Sequence, residues 1–170
     1  QGDVAPVVLT TQEGIILERR QRLVRAPASA VYRTFTRLGG ESGWLCMNWA
    51  WAVRGFLDRV MGGVGLRRGR RNPQEVRVGD AVDFWRVEAV EPDRLLRLRA
   101  EMKVPGRAWL EFRVEPMDAA TSRLFQTAFF APRGLTGLLY WYLLYPIHTV
   151  IFSGMAKALA RRAEILPIAH

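Results

Sequence analysis

Cysteine is nearly absent. The 170-residue chain has one, Cys46, which excludes an internal disulfide framework and most thiolate metal sites. No neighbouring feature lowers its pKa, so it is not read as a nucleophile. Histidine is almost as scarce. His148 and the terminal His170 are too few for a His-rich centre, so no metal is expected, and no cofactor. Lysine is rare as well, with Lys103 and Lys157 the only two among 25 basic residues. The start has neither Met nor a positive-then-apolar leader, so the sequence reads as cut from a larger protein.

What is present is globular. Apolar residues make up 49% and charged residues 24%, which excludes disorder and fits one domain with its own core. The net charge of +9 is carried mostly by Arg, the residue for phosphate and carboxylate recognition and for stacking. A GC-rich coding sequence produces the same bias. The tightest clusters are Arg67, Arg68, Arg70, Arg71 and Arg19, Arg20, Arg22, Arg25. Both read as solvated faces or as patches for anionic lipid. No recognition motif accompanies them, so nucleic acid is not an expected partner.

Residues 1–13 are polar and read as a tail or linker, 14–166 as one domain, and 167–170 as a C-terminal tail. Residues 14–25 predict a strand. Pro27 opens a helix through Leu38, with Val31, Phe35 and Leu38 on one face and Gly39-Gly40 ending it. A second helix is predicted over 44–61. Its apolar stripe is Trp49, Val53, Phe56 and Val60, with Trp51, Arg54 and Asp58 on the polar side and Arg54–Asp58 paired at i, i+4. Gly63, Gly65 and Gly69 imitate a nucleotide loop. A helix precedes them and Asn72-Pro73 follows, so that reading is rejected.

From Ala81 the period is two, and strands are predicted over 82–90, 94–102, 108–116 and 121–130. The expected register pairs Trp85 with Ala100, Val87 with Leu98 and Glu88 with Arg97. Across the next turn it pairs Ala100 with Leu110, Leu98 with Phe112 and Arg99 with Glu111. Asp83, Trp85, Leu98, Met102, Leu110 and Phe112 then face inward, whereas Phe84, Arg86, Glu101 and Glu111 face outward in a charged ladder. Glu101 and Glu111 are nearby carboxylates, but their alternation with Arg reads as an ion-paired solvent surface.

Gly134 to Ala156 contains no Asp, Glu, Lys or Arg, 23 residues in all. That is enough to cross a bilayer, which needs about 20. Gly134, Gly137, Pro146 and His148 oppose a span, and Pro146 is expected to kink or break the helix. Ile147, Ile151, Met155 and Leu159 share one face against Lys157, Arg161 and Arg162, as in a helix that covers a sheet. LLYWYLLY (138–145) is apolar nearly all round and is expected to meet a pocket, a second copy of the chain, another domain or a membrane surface.

Strand, P-x-x-x-V-Y helix, helical insert, meander and long C-terminal helix together resemble the helix-grip fold of the SRPBCC superfamily. START, polyketide-cyclase and birch-pollen-allergen-like domains belong to it. The runs RGFLDRVMGGVGLRRGRR (54–71), GDAVDFWRVE (79–88), LRLRAEMKVPGRAWLEF (96–112) and PRGLTGLLYWYLLYPIH (132–148) are similar to an uncharacterised bacterial family of it. Members are commonly fused behind NAD(P)-binding NmrA or short-chain-dehydrogenase-like domains. The likeness spans about residues 15–164 and departs at 62–80, where a strand pair is replaced by a Gly-, Arg- and Pro-broken stretch.

The resemblance implies an α+β fold, a curved antiparallel sheet wrapped around the C-terminal helix with a helical insert after the first helix. It also implies a cavity for a small hydrophobic ligand such as a lipid, quinone or polyketide-like molecule. Its expected walls are Trp85, Leu98, Met102, Leu110, Phe112, Tyr140, Tyr145 and His148. It carries over no catalytic residue. On the residues alone, Asp83 at the rim and His148 are the candidate acid–base pair of a cyclase, dehydratase or isomerase, and Gln126 is a further polar group. Three readings stay open: a ligand-binding module serving an attached oxidoreductase, such an enzyme, and a membrane-surface or association module. The expected location is the cytoplasm, with or without membrane contact.

Overall fold

In a computed structural model, the described residues are 8–12, 14–39, 43–45, 48–60, 62–63, 72 and 75–165. Cys46, the Trp51 side chain, the Arg67–Arg71 cluster and the 167–170 tail lie outside them. Seven antiparallel strands form one sheet in the order β1-β2-β7-β6-β5-β4-β3. The strands are β1 (Val8–Gln12), β2 (Ile15–Val24), β3 (Ala81–Val82), β4 (Trp85–Glu91), β5 (Leu95–Ala100), β6 (Gly106–Pro116) and β7 (Ser122–Pro132). The helices are α1 (Ala28–Thr36), α2 (Asn48–Val60) and α3 (Gly134–Ile165). Part of the stretch read as a tail is therefore the edge strand β1, paired with β2 from Val8↔Arg19 to Gln12↔Ile15.

Helix α1 starts where Pro27 presents its carbonyl to the amides of Ala30 and Val31, at 3.0 and 3.2 Å. It ends before Gly39, whose φ of +80° suits glycine. A Cβ there would also strike Val82 Cγ1 at 2.5 Å. Phe35 on α1 stacks on Phe112 of β6 with centroids 5.7 Å apart. With Leu98, Leu110, Met155 and Leu159 these rings form the closed main core. Each such side chain contributes roughly 1.5–3 kcal/mol by leaving water.

The expected register holds between β4 and β5 for Trp85↔Ala100 and Val87↔Leu98. Glu88 does not meet Arg97, because a bulge after Val87 brings Ala89 opposite Arg97. Between β5 and β6 the register slips by two residues, to Leu98↔Leu110, Leu96↔Phe112 and Arg97↔Glu111. An even slip leaves each side chain on its own face, so the inner face survives. The charged ladder is ion-paired. Arg86 holds Glu101 through two bonds of 2.9 and 3.1 Å, and Arg97 holds Glu111 at 2.6 and 2.9 Å.

Phe84 departs from its expected outward place. Asp83 has a φ of +54°, which breaks the alternation and turns both Phe84 and Trp85 into the core. Pro146 does not end the C-terminal helix. α3 runs unbroken through it for 32 residues. Pro146 lies on the exposed side, where water can serve the carbonyl it leaves without a donor. The second half of α3 covers the sheet as its pattern predicts, through Ile151, Met155 and Leu159, whereas Ile147 is exposed.

Gly106, which opens β6, has a φ of +151°, and a Cβ on it would lie 2.2 Å from the Ala131 carbonyl oxygen. Gly106→Ala is expected to cost about 1–3 kcal/mol from backbone strain, measured as a lower urea midpoint with an unchanged slope.

Candidate functional site

The sheet is covered in two parts. At one end α1 and the second half of α3 close the main core. At the other end the first half of α3 sits over a small separate cluster of Ile16, Phe130 and Trp141. A cavity of about 270 Å³ opens between the sheet and the helices. The sheet side supplies Trp85, Met102, Ala108, Ala128 and Phe130. Helix α2 supplies Trp49, Val53, Arg54 and Leu57, and α3 supplies Tyr140, Trp141, Ile147, His148 and Phe152.

Of the residues expected to line it, Trp85, Met102, Tyr140 and His148 meet here. Leu98, Leu110 and Phe112 do not. They are fully buried under α1 and filled by it. Tyr145 packs on Trp141 outside the cavity wall, with centroids 6.1 Å apart. Asp83 is neither at a solvent rim nor in the cavity. It is buried in the β3–β4 turn, where its Oδ2 accepts a 2.8 Å bond from Trp44 Nε1. Asp83 and His148 therefore do not form an acid–base pair.

Helix α2 is reversed relative to its pattern. Its apolar stripe, Trp49, Val53, Phe56 and Val60, is exposed, and Arg54 and Asp58 of its polar side turn inward. Asp58 is buried and its Oδ1 accepts a 2.7 Å bond from the Lys103 amide. Arg54 donates through Nη2 to the Lys103 carbonyl and to the Tyr140 hydroxyl, both at 3.1 Å. The helix is thus held to the β5–β6 loop and to α3 by polar bonds rather than by a buried stripe. This makes Arg54 a pocket residue that the helical pattern assigned to solvent.

The polar groups of the pocket are few. Burial, then Arg54 and Arg20, lowers the His148 pKa to about 4, so the ring is neutral at pH 7. It packs against Trp141 and Phe152, and its Nδ1 has no hydrogen-bond partner. Burial raises the Tyr140 pKa against the opposing pull of Arg54. The indole N–H groups of Trp85 and Trp141 are also buried without partners. Gln126 faces inward, with Nε2 3.6 Å from Met155 Sδ and Oε1 unpartnered. Beside the pocket lies a pair that the strand pattern hid in an Arg run. Glu18 and Arg20 share the inner face of β2 with Ile16 and form a buried ion pair. Ser153 accepts from Arg20 at 3.1 Å, and Thr149 donates to Glu18 at 3.2 Å.

Residues 16–155 match the model of a family described as protein of unknown function (DUF2867). No curated protein matches the sequence. Solved structures share the fold at low identity. The Zhui aromatase/cyclase from Streptomyces sp. R1128 is 19% identical over 88% of this chain and 94% of its own, with a TM-score of 0.55. Truncated norcoclaurine synthase from Thalictrum flavum is 11% identical over 96% and 99%, at 0.56. The di-domain ARO/CYC BexL of the BE-7585A biosynthetic pathway is 18% identical over 88% of this chain and 46% of its own, at 0.54. The architecture is the helix-grip fold.

Proposed function

We propose that the chain, which belongs to this DUF2867 family of unknown function, binds a small uncharged hydrophobic molecule carrying carbonyl-type oxygens. One observation carries the reading: the pocket wall is almost wholly apolar, and two of the residues that line it, Trp85 and Trp141, carry buried indole N–H groups without partners. Leaving a buried donor unmade costs about 1–3 kcal/mol, and a ligand oxygen would recover it. The flat rings of Trp85, Phe130, Tyr140 and Trp141 favour a planar body such as a quinone or an aromatic polyketide. A charged ligand fits poorly, since Arg54 is already engaged and the remaining wall is apolar. The ligand would be held for an NAD(P)-binding oxidoreductase domain in the cytoplasm, in line with the fusion that the family resemblance implies.

The test uses native mass spectrometry for co-purified ligand, then calorimetric titration with a naphthoquinone and with naphthalene. Trp85→Phe and Trp141→Phe keep the rings and remove the donors. Each should weaken the quinone about 2- to 10-fold, the worth of one neutral hydrogen bond, and leave naphthalene unchanged. Equal losses for both probes, or no binding of either, would sink the reading.

One observation favours an acid–base enzyme of cyclase, dehydratase or isomerase type as a second reading: neutral His148, Tyr140 and Arg54 line the same pocket. On that reading His148→Gln abolishes turnover and leaves quinone binding, whereas Asp83→Asn changes neither. Turnover that survives His148→Gln eliminates it.

A further inference from the structure

We infer that the mouth of the pocket docks on an anionic bilayer surface and takes its ligand from there. The ligand half of this inference rests on the pocket reading above; the docking half does not.

A surface helix normally turns its apolar stripe to the core. Here two neighbouring helices turn theirs to solvent. On α2, Trp49 and Phe56 are each 67% exposed and Val60 is 69% exposed. On the first half of α3, Leu135, Leu139, Tyr142 and Leu143 are exposed at helical spacing, Leu143 at 73%. The Arg54–Tyr140 bond joins the two helices. Exposed apolar surface on this scale marks an interaction site.

Charge selects the occupant. From Asn48 to Val60 and from Gly134 to Ala156 the only acid is Asp58, and it is buried. Basic groups gather at the margin. Arg59 is exposed beside Phe56 and Val60, and Lys103 and Arg133 are exposed on the segments that join the helices. Arg54 binds the Lys103 carbonyl, and the Arg133 amide donates to the Pro105 carbonyl at 2.9 Å. An apolar face with a basic margin and, among the described residues of these two segments, no exposed acid complements anionic lipid, with its apolar residues in the acyl boundary and its Arg and Lys at the headgroups.

Docking differs from spanning. α3 is long and apolar enough to cross a membrane by length and composition, but Trp141, Ile151, Phe152 and Met155 on its other side are buried on the protein. A span would strip them from the sheet, whereas surface docking uses only the face left open. Trp49, Val53, Leu57 and Ile147 are at once exposed and part of the pocket wall. They form an apolar lip, so a hydrophobic molecule can pass from acyl chains into the pocket without crossing a polar surface.

The test is co-sedimentation with phosphatidylcholine vesicles, with and without phosphatidylglycerol. The chain should bind the phosphatidylglycerol vesicles, and release when salt is raised from about 0.1 M to about 0.5 M. Phe56→Glu/Leu139→Glu/Leu143→Glu should weaken vesicle binding by at least about tenfold. Naphthoquinone affinity in solution should be unchanged, since none of the three lines the pocket; this also certifies the fold. Arg59→Glu/Arg133→Glu should weaken binding to anionic vesicles only. Failure to bind them, indifference to lipid charge and salt, or binding that survives the triple substitution overturns the docking. So does a native-mass dimer that the triple substitution converts to monomer, because a second copy then covers the face. Vesicle binding without quinone binding would retain the docking and remove the ligand half.

Discussion

Arg20→Met should lower the stability of the domain by about 3–5 kcal/mol, the range for removing one partner of a buried ion pair. The Glu18 side chain is completely buried and that of Arg20 nearly so, at 0% and 6% exposure. Without the guanidinium, the Glu18 carboxylate stays beneath α3 with Thr149 as its remaining partner among these groups. The cost is that of an uncompensated buried charge, far more than the loss of one contact. The double variant Glu18→Leu/Arg20→Met makes the distinction. It removes both charges, and with them two buried atoms that have no hydrogen-bond partner, Glu18 Oε2 and Arg20 Nη1. Its stability should lie within about 1–2 kcal/mol of the parent, because a buried pair gains little over an apolar replacement of similar volume. Urea unfolding of the parent, the single variant and the double variant at pH 7 measures this. A single variant as stable as the parent would show that water reaches the pair. A double variant as unstable as the single one would show that Thr149 and Ser153 of α3 need these charges to dock.

The same pair shows where residue patterns stop being informative. Period two along β2 puts Ile16, Glu18, Arg20, Arg22 and Val24 on one face, and the structure buries all but Arg22, which is half-buried. In the sequence, Arg20 sits in a run with Arg19 and Arg22, and a run of like charges reads as solvated. Only the partner helix, more than a hundred residues away, reveals that Arg20 turns in. The meander was legible because its turns restrict the pairing: Trp85↔Ala100 and Val87↔Leu98 follow from them. The β5–β6 register could slip by two unnoticed, because both alignments bury the same face. Helix α2 is the deepest inversion. Its stripe of Trp49, Val53, Phe56 and Val60 is a sound amphipathic pattern, but which side meets the core is decided by the bonds of Arg54 and Asp58 to the Lys103 backbone. That choice moved the pocket. The α1 end of the inner face, with Leu98, Leu110 and Phe112, is packed solid, and the cavity lies at the other end under α2 and Trp141. The neighbours of Asp83 put it at a strand start and at the rim, but its positive φ carries it into the core beside Trp44.

Acid should destabilise the domain through one pocket residue, His148. In the unfolded chain a histidine titrates near 6.5, whereas in the fold burial, then Arg54 and Arg20, holds His148 at about 4. Between those values the unfolded chain carries a proton that the folded one does not, so stability rises with pH there and falls as pH drops. The contribution is fully present above pH 6.5, and its slope is about 1.4 kcal/mol per pH unit in the window. It totals up to about 3 kcal/mol, and by pH 4 it has been lost. His148→Gln keeps a polar side chain and removes the titration. From pH 7 to pH 4 the urea midpoint should therefore fall further in the parent than in the variant, by the equivalent of up to about 3 kcal/mol, with carboxylate effects common to both cancelling in the difference. The same neutral ring lines the pocket. Below pH 4 a charged imidazole beside Arg20 and Arg54 would make the pocket hostile to an uncharged hydrophobe, so naphthoquinone affinity should fall there in the parent and hold in the variant. If the two proteins lose stability in parallel from pH 6.5 downward, His148 is solvated in the free protein. The pocket would then be wet, which counts against the reading that it holds an uncharged hydrophobe.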